Sequence, residues 1–212
     1  MPQGHDRADA DHPAFYAAVA AFDTGDTTTL GRLLRKTPEL ASAHGFLDSA
    51  YQHQSLRGAT LLHLVPGNAG RKRLPDNALD LAQVLLDAGA DVNAITTDSV
   101  TTMELLLNAR QPRWLGIVDQ LFTRLIEAGA DVTGKNGYLL WTTLLTQHAS
   151  PAQKQGLVDH GARVDLRFAA GLNDVARMQR FFASDNTLTA DAASAYRIPP
   201  RAPGTLATLT DQ

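Results

Sequence analysis

The chain predicts an all-α protein built as a stack of small helical units. Three observations lead there. The peptide Leu86-Asp87-Ala88-Gly89-Ala90-Asp91-Val92 returns 40 residues on as Ile126-Glu127-Ala128-Gly129-Ala130-Asp131-Val132. It returns 32 residues after that as Val158-Asp159-His160-Gly161-Ala162-Arg163-Val164. Apolar residues before each glycine stand three and four apart, the spacing of one helix face. A period of this size marks a row of supersecondary units, not one globular core.

The units read in order. Residues 1–12 are a polar, flexible lead-in. Pro13 opens a helical run carrying Phe15, Tyr16, Val19, Ala20 and Phe22, because proline suits a first helical position. Asp23-Thr24-Gly25-Asp26 stops it. Leu30, Leu33 and Leu34 mark a second helix that ends before Pro38. The second unit begins at Arg57-Gly58-Ala59-Thr60 and closes with a helix over Ala78–Ala88, stopped by Gly89. The third runs from Ser99-Val100-Thr101 to Gly129, with Ile117, Leu121 and Leu125 on its second helix. The fourth runs from Gly137-Tyr138 to Gly161. Its second helix is poor, because Gln153-Lys154-Gln155-Gly156 stands where an apolar pair is expected. The fifth is Phe168–Asp174, then Val175, Met178, Phe181 and Phe182. The helical array spans 13–184. In the tail, 185–212, Pro199, Pro200 and Pro203 exclude helix interior.

In this register the chain resembles ankyrin repeats of a divergent, bacterial type. Thr60-Leu61-Leu62-His63-Leu64 stands at the family's T-P-L-H-x. Leu85, Leu86, Gly89, Ala90, Asp91, Val92, Asn93 and Ala94 match its closing L-L-x-x-G-A-D-V-N-A. The third unit keeps Thr101, then departs at Thr102, Met103 and Glu104. The resemblance implies a solenoid of about five helix–turn–helix units with short β-hairpin-like fingers near Gln54–Gly58, Ile95–Ser99, Lys135–Tyr138 and Asp165–Arg167. It also implies a structural hydrogen-bonding role for His63 between neighbouring units. A repeat of this kind buries its apolar face only by stacking.

The expected function follows from the architecture. A stack offers a concave face of finger tips and first helices, so the chain reads as a protein–protein interaction module for an unidentified partner. Candidate contacts are Thr96, Thr97, Asp98, Lys135, Asn136, Tyr138 and Arg167. Tyr138 is the expected anchor, since aromatics dominate interface hot spots; a packing role after the finger glycine stays open. The alternative is a regulatory protein, an immunity factor, antidote or effector that occludes a target with the same face.

A second surface is suggested by length. From Thr60 to Gly89 is 29 residues and from Thr101 to Gly129 is 28, against 22 from Leu139 to Gly161. The excess lies between paired helices, in loops at 66–75 and 108–114. They carry Arg71, Lys72, Arg73, Arg110, Arg113 and Trp114. One reading is a basic rim for an acidic partner or phosphate. The other is two solvated loops with Trp114 packed beneath them.

Other chemistry finds little support. With no cysteine, thiolate catalysis, disulfides and cysteine-ligated zinc are excluded. No two of the seven histidines stand at the i, i+4 spacing of a helical zinc site, so neither metal nor cofactor is expected. Asp23-Thr24-Gly25 matches the aspartic-protease tripeptide, but that reaction needs two such carboxylates sharing a proton. Here Gly25 serves as a turn and Asp26 as a helix cap, so no enzyme is expected. A net charge of −3 disfavours nucleic acid and an anionic membrane. The polar start lacks the apolar core of a secretory signal, so the cytoplasm is the expected compartment. The apolar fifth unit needs a cover. The tail (through Leu188, Tyr196, Ile198, Leu206 and Leu209), another chain and a shortened array all stay open.

Overall fold

The computed structural model describes residues 13–45, 56–66, 73–133, 143 and 149–192. Among these the fold is mostly helical, with nine α-helices, three short 3-10 turns and only isolated β-bridges. Helices α1 (Pro13–Asp23) and α2 (Thr27–Lys36) form the first pair. The 3-10 turn Leu61–Leu64 precedes α3 (Ala78–Asp87). Helices α4 (Thr102–Asn108), α5 (Gln111–Trp114) and α6 (Val118–Glu127) follow. The last are α7 (Pro151–Asp159), α8 (Leu166–Gly171) and α9 (Val175–Gln179).

One closure recurs. After α3, the Gly89 N–H donates to the Leu86 carbonyl at 2.9 Å and the Ala90 N–H to the Leu85 carbonyl at 3.0 Å. This pair of bonds satisfies two carbonyls that the helix end leaves open, and it needs a left-handed residue at its centre. The same two bonds surround Gly25, Gly116, Gly129 and Gly161, all at positive φ. Asn173, at φ 57°, does the same after α8.

Leucines build the interior. Helix α2 packs on α3 and α3 on α6, burying Leu30, Leu34, Leu81, Leu85, Leu121 and Leu125. The turn Leu61–Leu64 packs on both α3 and α4, and α4 packs on α6. Side chains tie these neighbours. Asn77 Nδ2 donates to the Gly25 carbonyl at 2.8 Å. Arg124 Nη1 donates to Gln83 Oε1 at 2.8 Å and to the Leu79 carbonyl at 3.2 Å. Asn93 Nδ2 donates to the Gly129 carbonyl at 2.9 Å, while Asn93 Oδ1 accepts from the Asp131 N–H at 2.6 Å.

Three expectations change. Helix α7 forms, well capped, in spite of its weak apolar face. Gln153 is buried, bonds Asp119 Oδ1 at 2.7 Å, and forms a reciprocal cap with Ser150. Gly156 is small for a reason: a Cβ there would stand 2.9 Å from the Phe122 ring. Second, Asp165–Arg167 forms no finger. Asp165 is the N-cap of α8, its Oδ1 accepting from the Phe168 N–H at 2.9 Å, so helix begins where a hairpin was expected. Third, the start of the tail forms a hairpin that leaves Leu188 exposed. Ala183 N–H donates to the Thr187 carbonyl at 2.8 Å and Thr189 N–H to the Phe181 carbonyl at 3.0 Å, closing a tight hairpin with a Phe182–Leu188 bridge. Leu188, expected as part of a cover, is 58% exposed on it.

Candidate functional site

Of the expected fingers, the one before α4 forms and lies wholly within the described residues. Ile95 bridges Thr101 antiparallel, and the Thr96 N–H donates to the Val100 carbonyl at 3.0 Å. Ser99 takes the left-handed turn position at φ 60°. Thr96 was expected at the surface, but it is 3% exposed. Its Oγ1 accepts from the Val100 N–H at 3.2 Å, so its polar atom is used within the finger. Thr97, Asp98 and Ser99 are exposed, as is Ile95, which is not among the expected contacts. The Thr97 N–H donates to the Arg57 carbonyl at 2.8 Å and fixes the tip against the preceding turn. Gly58, at φ 62°, makes room, since a Cβ there would meet Thr97 Oγ1 at 2.6 Å.

Behind the finger sits a polar pair. His63 is fully buried. Its Nδ1 accepts from the Thr60 N–H at 3.1 Å and lies 2.8 Å from Thr60 Oγ1, while Nε2 lies 3.2 Å from the Val100 carbonyl. Only an Nε2–H tautomer satisfies all three contacts. Burial, the largest effect, pushes the imidazole down to about 4 and keeps it neutral. Thr101 and Glu104 repeat the arrangement at the start of α4: Glu104 Oε2 accepts from the Thr101 N–H at 2.7 Å. Burial there raises the carboxyl above its usual range.

The other finger candidates divide. Lys135, Asn136 and Tyr138 lie outside the described residues. Arg167 is not at a tip. It stands in the first turn of α8, 5.3 Å above the Phe168 ring, with Nη2 3.6 Å from Asp165 Oδ2.

At the rim, Arg71 and Lys72 lie outside the described residues. Arg73 Nη2 reaches both oxygens of Asp76, at 2.7 and 3.0 Å, so a neighbouring carboxylate offsets its charge. The 108–114 insertion is not a plain loop. Gln111 and Pro112 are buried, α5 makes one helical turn, and the Gly116 closure ends it. Arg113 Nη2 donates to the Leu107 carbonyl at 3.4 Å. Trp114 does not pack beneath the loop. It is 76% exposed, the most exposed large apolar side chain among the described residues.

Asp23-Thr24-Gly25 closes α1, with Thr24 Oγ1 bonded to the Ala20 and Ala21 carbonyls and Asp26 capping α2 through the Thr29 N–H. Among the described residues no three His, Asp or Glu side chains group as metal ligands, and no helix is long and apolar enough to cross a membrane. An open recess of about 370 Å³ lies between α7 and α9 and includes Val158, Phe181, Arg177, Arg180 and Asp191.

No family model matches this chain, and neither does any curated protein or solved structure.

Proposed function

We propose that the helix pairs stack as divergent ankyrin-type repeats and that the chain is a protein-interaction module. The observation that carries this reading is the finger at Ile95–Thr101. It is pinned to the unit before it through Thr97 and Arg57, bonded from below by His63, and presents Thr97 and Asp98 to solvent. The consecutive packing of α2, α3 and α6 supports the stack, as does the shared closure after α3, α6 and α7. A surface of exposed polar tips on a rigid frame binds by shape and hydrogen-bond complementarity.

The test is affinity capture from source-cell lysate. The intact chain is compared with a Thr97→Arg, Asp98→Arg double variant, after circular dichroism shows equal helix content. A partner held by the first and lost by the second supports the finger surface. A partner held equally by both removes it.

A further inference from the structure

Trp114 is held out, not left out. Buried Gln111 and Pro112 anchor α5 on one side. On the other, the Ile117 N–H donates to the Pro112 carbonyl at 2.9 Å and the Gly116 N–H to the Arg113 carbonyl at 3.0 Å. The turn is therefore fixed at both ends while its indole stays in water. The corresponding connection between α1 and α2 is only Thr24-Gly25-Asp26, so closing the pair requires no such insertion. The exposed indole has little packing on its own chain, and tryptophan and arginine are enriched in interface hot spots.

The charge around it selects the partner. Residues 109–116 carry Arg110 and Arg113 and no acid. Arg110 is exposed and has no ion pair among the described residues. We propose that Trp114 and Arg110 form a second docking site, for an acidic segment of a partner protein. The indole supplies the apolar contact and Arg110 the charge. The site lies at the far end of α4 from the Ile95–Thr101 finger, so it is separate from the surface proposed above. A nucleic acid fits less well, because binding a phosphate backbone takes a row of Lys/Arg contacts and residues 109–116 carry only two arginines. A lipid surface fits less well too, since anchoring there takes a larger apolar face or a polybasic patch.

Fluorescence decides the matter. Trp114 and Trp141 are the two tryptophans, so Trp141→Phe leaves Trp114 as sole reporter. The probes are an Asp/Glu-rich peptide with interspersed leucines, the same peptide with lysines for its acids, a DNA duplex, and phosphatidylserine vesicles. The expected result is a saturable blue shift with the acidic peptide alone, weakening as salt rises. By anisotropy of the labelled peptide, Arg110→Glu should weaken binding at least about tenfold and Trp114→Ala should abolish it. The Thr97→Arg, Asp98→Arg variant should bind the peptide normally, which separates this site from the finger. If Trp141→Phe unfolds, anisotropy with the unsubstituted chain gives the same reading. No response to the acidic peptide overturns the proposal, as does a response to DNA or vesicles alone. Concentration-dependent sedimentation abolished by Trp114→Ala also overturns it, by making the occupant a second copy.

Discussion

His63 and Val100 are joined across 37 positions of sequence: the imidazole Nε2–H donates to the Val100 carbonyl at 3.2 Å from a fully buried ring. The bond links the Leu61–Leu64 turn to the finger before α4. It also makes the fold sensitive to acid. The folded His63 accepts a proton only near pH 4, whereas the unfolded side chain does so at its ordinary 6.5. Between those values the unfolded state binds more protons, so stability is complete above about 6.5 and falls as pH drops toward 4. The full loss is about 3 kcal/mol at ~1.4 kcal/mol per unit. Glu104 acts in the opposite sense, because its raised carboxyl favours the folded state on protonation. Urea midpoints at pH 7.5 and 4.5 should therefore differ in the native chain and nearly coincide, or reverse, in His63→Gln. An equal acid loss in His63→Gln would assign the effect elsewhere.

Leu85 is fully buried on α3, which packs on α2 and α6, and it also lends its carbonyl to the Gly89 closure. Leu85→Ala is expected to destabilise by about 2–5 kcal/mol, the range for a buried leucine. Chemical denaturation measures it. A change below about 0.5 kcal/mol, typical of surface sites, would contradict the packing described.

Gly45 leaves no room for a side chain. A Cβ there would collide with the ring of Phe15, itself 1% exposed. Gly45→Ala should cost about 1–3 kcal/mol or more, as overpacking does. Adding Phe15→Leu should recover part of the loss. Additive losses in the double variant would show that the two side chains do not collide.

Trp114→Ala should leave stability within about 0.5 kcal/mol of the native chain, since so exposed a ring has little packing to lose. A thermal melt tests this without any ligand. A large loss would mean that the indole packs on its own chain and would also remove the basis for a docking site.

The sequence is clearest where structure is local. Gly89, Gly129 and Gly161 stop helices because a left-handed residue is needed within the same turn, and the bounds of α3 could be read from Leu81, Leu85 and Gly89. What escaped reading depends on neighbours far along the chain. Glu104 looked like a break in the repeat, yet an acceptor three residues after Thr101 does what His63 does after Thr60. Gln153 and Gly156 looked like defects in α7, yet one meets Asp119 and the other Phe122, 34 residues earlier in both cases. Thr96 and Thr97 differ only in which side of the finger each occupies, and nothing in their type reveals it. The Arg73–Asp76 pair was readable in principle, since the acid stands three positions on.

The recurrent closure has a consequence in time. Each of the six turns is fixed by bonds that reach back no more than five residues. A helix end can therefore set as soon as its own few residues exist, without waiting for a distant strand to arrive. Contacts so close in sequence lose little entropy on forming and favour fast folding. During synthesis the turn between α1 and α2 could therefore close before α3, which packs on α2, has emerged.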